Sequence, residues 1–144
     1  MWRVQTYISL QNSELRFASP ARALLVPPEF ESLVEEGLLV APNVEEAIED
    51  TDVVMILRIQ KERQDSAFFP TLREYAIHYG LTQERLDRAR KDAIVLHPGP
   101  MNRGIEIASD VADSSRSRIL AQVKYGVTLR MAVLYLATGG KASE

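Results

Sequence analysis

The chain of 144 residues contains no cysteine. Disulfides, thiolate metal sites and cysteine nucleophiles are therefore excluded, and the composition fits a reducing compartment. Histidine is almost as scarce. Only His78 and His97 occur, too few for a histidine-rich metal centre. Charge of one sign is not concentrated either: 17 basic and 20 acidic side chains are mixed along the chain and leave a net charge of −3. Without a basic stripe, nothing points to nucleic acid. No uninterrupted run approaches the roughly 18 apolar residues of a bilayer span, and "MAVLYLATGG" is far too short. "MWRVQTYISLQNSE" has an early arginine but lacks the apolar core of a signal peptide. These readings predict a soluble, cytoplasmic protein with neither a nucleic-acid nor a membrane partner. What is present is a globular balance, 46% hydrophobic and 26% charged, at a length that suits one domain.

Short apolar runs alternate with amphipathic stretches. "ELRFASP" (14–20) predicts a strand stopped by Pro20, and "LLVA" (38–41) another. "DVVMILR" (52–58) and "AIVLH" (93–97) are continuous apolar runs of strand length, the mark of strands buried on both faces. Helices are predicted over 27–37, over 43–51 behind a capping Asn43, over 70–80, over 82–92 behind Thr82, and over 114–140. In the last of these, Ile119, Val123, Val127, Met131 and Leu134 form the apolar stripe, and Gly139-Gly140 ends it. The alternation predicts an α/β fold: a three-layer parallel sheet with helices on both faces. Ligands in such sheets bind at the carboxyl ends of the strands.

Two of those ends carry unusual chemistry. In "RIQ" (58–60), residues two apart project the same way in an extended segment. Arg58 offers a planar fork that matches a carboxylate, and Gln60 adds a donor and an acceptor. A surface arginine beside a surface glutamine fits the same three letters. In "HPGP" (97–100), two prolines strip N–H donors from the turn and leave a stiff run of carbonyls, while Gly99 allows close backbone approach. A loop that merely ends a strand is the competing reading. His97 taken alone is more often a packed, hydrogen-bonded residue than a catalyst.

"LRIQKER", "LHPGPMNRGIEI" and "QVKYGVTLRMAVLYLA" together resemble the catalytic chains of the aspartate carbamoyltransferase family, in order and with the expected spacing. The resemblance runs from about residue 15 to residue 140. It implies a Rossmann-like aspartate-binding domain occupying 1–144. Such enzymes join carbamoyl phosphate to L-aspartate, in pyrimidine biosynthesis, without a metal or organic cofactor. By this resemblance Arg58 holds an aspartate carboxylate with Gln60 as helper. Pro98, Gly99 and Pro100 contact the carbamoyl group through the backbone, with Gly99–Pro100 cis. Residues 61–75 resemble a loop that closes over substrate. Arg3 matches a further aspartate-binding arginine, although its flanking serine and histidine pattern is missing. No residue is assigned a catalytic role, and Asn102 and Arg103 are expected to fix the loop.

The departures concern what precedes this region. The family's carbamoyl phosphate domain, with its Ser-Thr-Arg-Thr-Arg loop, has no counterpart here, so carbamoyl phosphate binding and transferase activity are not expected of this chain alone. The first strand of the sheet is apparently missing. It should lie near the middle, where its loss leaves backbone groups without partners. "WRVQTYISL" reads as strand or helix, with a slight preference for helix. The long C-terminal helix, which in the family packs on the preceding domain, would lie bare. Self-association, or docking on a homologous chain, through residues 119–137 is therefore expected. The candidate ligand is L-aspartate or another small dicarboxylate. The alternative to an aspartate-binding half is a non-catalytic pseudoenzyme or assembly partner of a full-length homologue.

Overall fold

A computed structural model of the chain describes residues 7–11, 14–18, 39–41, 43–58 and 71–139. The expected helix over 27–37 lies outside them. Among the described residues the five strands are β1 (Tyr7–Gln11), β2 (Glu14–Ala18), β3 (Leu39–Ala41), β4 (Val53–Ile56) and β5 (Ile94–Leu96). They form one sheet in the order β3-β2-β1-β4-β5. β2 runs parallel to β3 and β4 parallel to β5, as the alternation of strands and helices implies. β1 is antiparallel to both its neighbours, with Tyr7 opposite Ala18 on one side and Ile56 on the other.

β1 answers the question of the missing strand. Residues 7–11, for which the sequence leaned slightly to helix, are extended. Position explains the difference: β2 and β4 each present an edge of backbone donors and acceptors, and a central gap would leave both rows unsatisfied. A strand between them pairs both edges, whereas a helix pairs neither. The letters I-S-L-Q alternate apolar and polar, as a strand permits. The register sets Gln11 against Glu14, with β2 antiparallel to β1.

The helices are α1 (Val44–Ile48), α2 (Leu72–Tyr79), α3 (Gln83–Leu86), α4 (Ser109–Ala112) and α5 (Ile119–Ala137). Asn43 caps α1, its Oδ1 accepting from the Glu46 N–H at 2.8 Å. Thr71 and Glu74 cap α2 reciprocally, the Glu74 carboxylate accepting from the Thr71 N–H at 2.8 Å. α3 is much shorter than the 82–92 expected. The backbone beyond it is spent on the chain before β4: the Asp50 N–H donates to the Arg88 carbonyl and the Arg90 N–H to Thr51. α5 likewise starts later than 114. Ser117 instead forms an isolated bridge beside β5, where Val95 donates to the Arg116 carbonyl at 3.0 Å and accepts from the Arg118 N–H at 2.9 Å.

The core gathers Val44 and Ile48 of α1, Val54 and Ile56 of β4, Val95 of β5, and Leu81, Leu86, Ile107, Val111 and Ile119. Among the described residues, Ile119 at its base is the one fully buried side chain that ties α5 into that core. The expected stripe is therefore buried at Ile119 and largely bare from Val127 onward, and apolar side chains also cover the opposite side, as with Leu129 and Val133. By length and a mean hydropathy of 1.2, α5 is long and apolar enough to cross a membrane, although no uninterrupted apolar run of that length occurs in it. Lys124 and Arg130 lie inside it, and a central charge of that kind costs about 2.5–3.5 kcal/mol on insertion. That cost favours a protein cover over a lipid one.

Candidate functional site

β4 and β5 lie side by side and parallel, with Met55 level with Leu96, so both leave the sheet at the same rim. Arg58 stands two residues past the end of β4, and Pro98 two residues past the end of β5. The chain runs outward through β1, β2 and β3 on one side and through β4 and β5 on the other. β4 therefore borders the point where the strand order reverses, the place where open α/β sheets form a ligand crevice. Arg58 is half-buried, with Nε shielded from solvent. Pro98 and Pro100 are exposed and Gly99 is half-buried. Arg3, Gln60 and residues 61–70 of the expected closing loop lie outside the described residues, and residues 72–75 of that loop form the first turn of α2.

The bend at 98–100 is shaped from within. The Gly99–Pro100 peptide is cis, as expected, and Gly99 has φ +68°. A Cβ there would come within 3.3 Å of Val123 Cγ2, so the second turn of α5 closes over the inner side of the bend. His97 is fully buried, and its Nδ1 accepts from the Gly99 N–H at 2.9 Å. Its Nε2 lies 3.5 Å from Oε1 of Glu106, which is also fully buried. The same Glu106 oxygen accepts from the Asn102 N–H. Burial first, and the Glu106 carboxylate second, push the Tyr75 phenol above its ordinary range.

Beyond the bend, Arg103 grips Asp113 with both guanidinium nitrogens, at 2.6 and 2.7 Å. This matches the fixing role expected of that residue. The fork holds the Arg103 guanidinium up and the Asp113 carboxyl below the usual carboxylate range. Leu81 pins the segment from its other side, donating to the Glu106 carbonyl at 3.0 Å and accepting from the Ala108 N–H at 2.9 Å. Glu106 is the residue that sequence reasoning passed over. Its signal was present: a carboxylate bracketed by Ile105 and Ile107 is a charge inside an apolar triplet.

Two clefts among the described residues lie elsewhere. One, of about 550 Å³, opens between α1, α2 and α3 beside Glu45, Arg73 and Arg85. Arg85 is committed there, bonded to Glu45 at 2.8 Å and to the Gly80 and Ile77 carbonyls at 2.6 and 2.9 Å. The other, of about 300 Å³, lies between Arg103, Asp113 and the start of α5. Among the described residues no group of three His, Asp or Glu side chains is placed to hold a metal ion.

The family model for the Asp/Orn binding domain of aspartate/ornithine carbamoyltransferases matches residues 7–137. The aspartate carbamoyltransferase catalytic subunit of Heliobacterium modesticaldum is 50% identical over 143 residues, covering 99% of this chain and 43% of that one. The corresponding subunit of Pelotomaculum thermopropionicum is 54% identical over 128 residues, covering 89% and 40%. Among solved structures, the aspartate transcarbamoylase of Trypanosoma cruzi in complex with phosphate superposes with a TM-score of 0.66 at 25% identity, over 83% of this chain and 38% of that one. The anabolic ornithine carbamoyltransferase of Campylobacter jejuni gives 0.70 at 21% identity, over 85% and 42%, a likeness of fold. The chain thus spans about two-fifths of the length of the relatives it matches.

Proposed function

Because the chain belongs to the aspartate/ornithine carbamoyltransferase family, matching its Asp/Orn binding domain, we propose that it is the aspartate-binding half of an aspartate carbamoyltransferase. Residues 1–144 act as one such domain, in the cytoplasm. The observation that carries this reading is the placement of Arg58 and the Pro98–Gly99–Pro100 bend on one rim, at the reversal of strand order. Arg58 holds a carboxylate of L-aspartate through its fork, with Gln60 beside it and Arg3 at the other carboxylate. The bend presents carbonyls to the carbamoyl group. In the transfer, the aspartate amine attacks the carbamoyl carbon, a C–N bond forms, the C–O bond to phosphate breaks, and the amine proton passes to the departing phosphate. Orientation and charge stabilisation supply the rate enhancement for such a step. Carbamoyl phosphate is held by protein outside this chain, since the relatives are more than twice as long. The chain alone is inactive.

Calorimetry with succinate tests the reading, since succinate keeps both carboxylates and lacks the reactive amine. Wild type releases or absorbs heat on titration, and Arg58→Ala does not. Equal heats in the two proteins would overturn the assignment. We further propose that the bare α5 is covered by a second copy of the chain when no preceding domain is present.

A further inference from the structure

Pro98 and Pro100 have no N–H, so Gly99 carries the only backbone donor between residues 98 and 100. That donor is already spent, because it points at His97 Nδ1 at 2.9 Å. A nitrogen that accepts carries no proton, so the ring proton sits on Nε2. Nε2 lies 3.5 Å from Oε1 of the buried Glu106 carboxylate, within ion-pair distance though without a hydrogen bond of its own. Glu106 is itself anchored at the far end of the loop through the Asn102 N–H. Both side chains are fully buried, where a group of this kind is costly unless its partners are fixed.

We propose that His97 and Glu106 are positioning residues: a buried brace that fixes the imidazole tautomer, consumes the last N–H of the bend, and leaves residues 98–100 as a face of acceptors only. Such a face selects ligands that bring N–H donors, a carbamoyl or amide group, over ligands that bring another acceptor. A free Gly99 N–H would erase that preference and let the bend bind an oxygen instead. The inference rests on the site reading above for its ligand, and on the His97, Gly99 and Glu106 contacts for the brace itself.

The test has a ligand-free arm and a ligand arm. Nitrogen-15 NMR of the imidazole in the wild-type chain shows the proton on Nε2, and the Gly99 amide is protected from exchange. A proton on Nδ1, or a freely exchanging Gly99 amide, overturns the brace. In the ligand arm, carbamoyl aspartate, which carries the N–H donors, is compared with succinate, which has none. His97→Leu weakens carbamoyl aspartate about tenfold and leaves succinate unchanged. His97→Asn keeps both affinities near wild type, because an asparagine oxygen accepts from the N–H two residues on. His97→Leu binding carbamoyl aspartate as tightly as wild type also overturns the proposal. Should His97→Leu not fold, Glu106→Gln decides: a mixed imidazole tautomer and a lost preference for carbamoyl aspartate support it, and an unchanged tautomer and preference overturn it. Wild type binding neither ligand, with the Nε2 proton and Gly99 protection intact, upholds the brace and overturns the aspartate-site reading instead.

Discussion

Gly80 has no space for a methyl group. A Cβ built there would lie 2.5 Å from the Ala76 carbonyl oxygen and 2.7 Å from that of Ile105. Both neighbours are backbone, so neither can swing aside. Gly104 is the contrasting case, with φ +79° and nothing within 4 Å of its would-be Cβ. Gly80→Ala is therefore expected to destabilise by about 1–3 kcal/mol through overpacking, and Gly104→Ala by about 1–2 kcal/mol through backbone strain alone. Urea unfolding midpoints compare the two, and an unchanged midpoint for Gly80→Ala would contradict the packing described. Asp113 supplies a pH test at the same scale. Its hydrogen bonds from Arg103 depress its pKa in the folded state. The contribution it makes is thus present above the ordinary carboxylate value and is lost as pH falls through the depressed one. Carbon-13 NMR should find Asp113 titrating low in wild type and returning toward the usual range in Arg103→Gln.

The elements divide by how local their causes are. β2, β3, β4, β5, α1 and α2 were legible because apolar runs and caps determine them within a few letters, as with Asn43 before α1. β1 was not, because its state depends on two edges far away in sequence, Glu14–Ala18 and Val53–Ile56. α3 and the start of α5 were over-extended for a similar reason. Their flanking carbonyls and amides find partners in Asp50, Thr51 and Val95, which no helical periodicity reports. In the site, Arg58 and the proline bend announced themselves by composition. Glu106 showed only as a charge between two isoleucines; its partner His97 lies nine positions back and is named only by the fold. Helix chemistry also yields a prediction of its own. Thr71 caps α2 through the Glu74 N–H at 3.3 Å, with Glu74 reaching back. Thr71→Ala should cost about 1 kcal/mol, read as a lower thermal midpoint. Gly126 sits inside α5, where a Cβ would meet only Arg130 Nη1 at 3.9 Å. Gly126→Ala should raise stability by about 0.5–1 kcal/mol through helix propensity.

At the scale of the molecule, the unfinished surface is α5. Ten of the twelve large hydrophobic side chains exposed among the described residues lie on it, Leu120 at 83% and Leu129 at 66%. They are not confined to one stripe: Val127 and Leu129 are two positions apart and so face nearly opposite ways on a helix. A helix apolar on all sides is one that is normally surrounded, and a single partner helix would cover only half of it. An assembly that leaves α5 solvated therefore holds more apolar surface in water than a soluble monomer ordinarily carries. The expected behaviour is self-association, with light scattering giving a mass at a multiple of 16.2 kDa that rises with concentration. A double charge substitution on opposite sides, Val127→Glu with Leu129→Glu, should return the mass to that of one chain. The sheet should remain folded, since among the described residues Ile119 is the one fully buried side chain joining α5 to the core. A protein supplying the preceding domain of a relative should compete for the same helix and lower the mass in the same way. A wild-type monomer at all concentrations that binds no apolar dye would remove the basis for placing a cover on α5 at all.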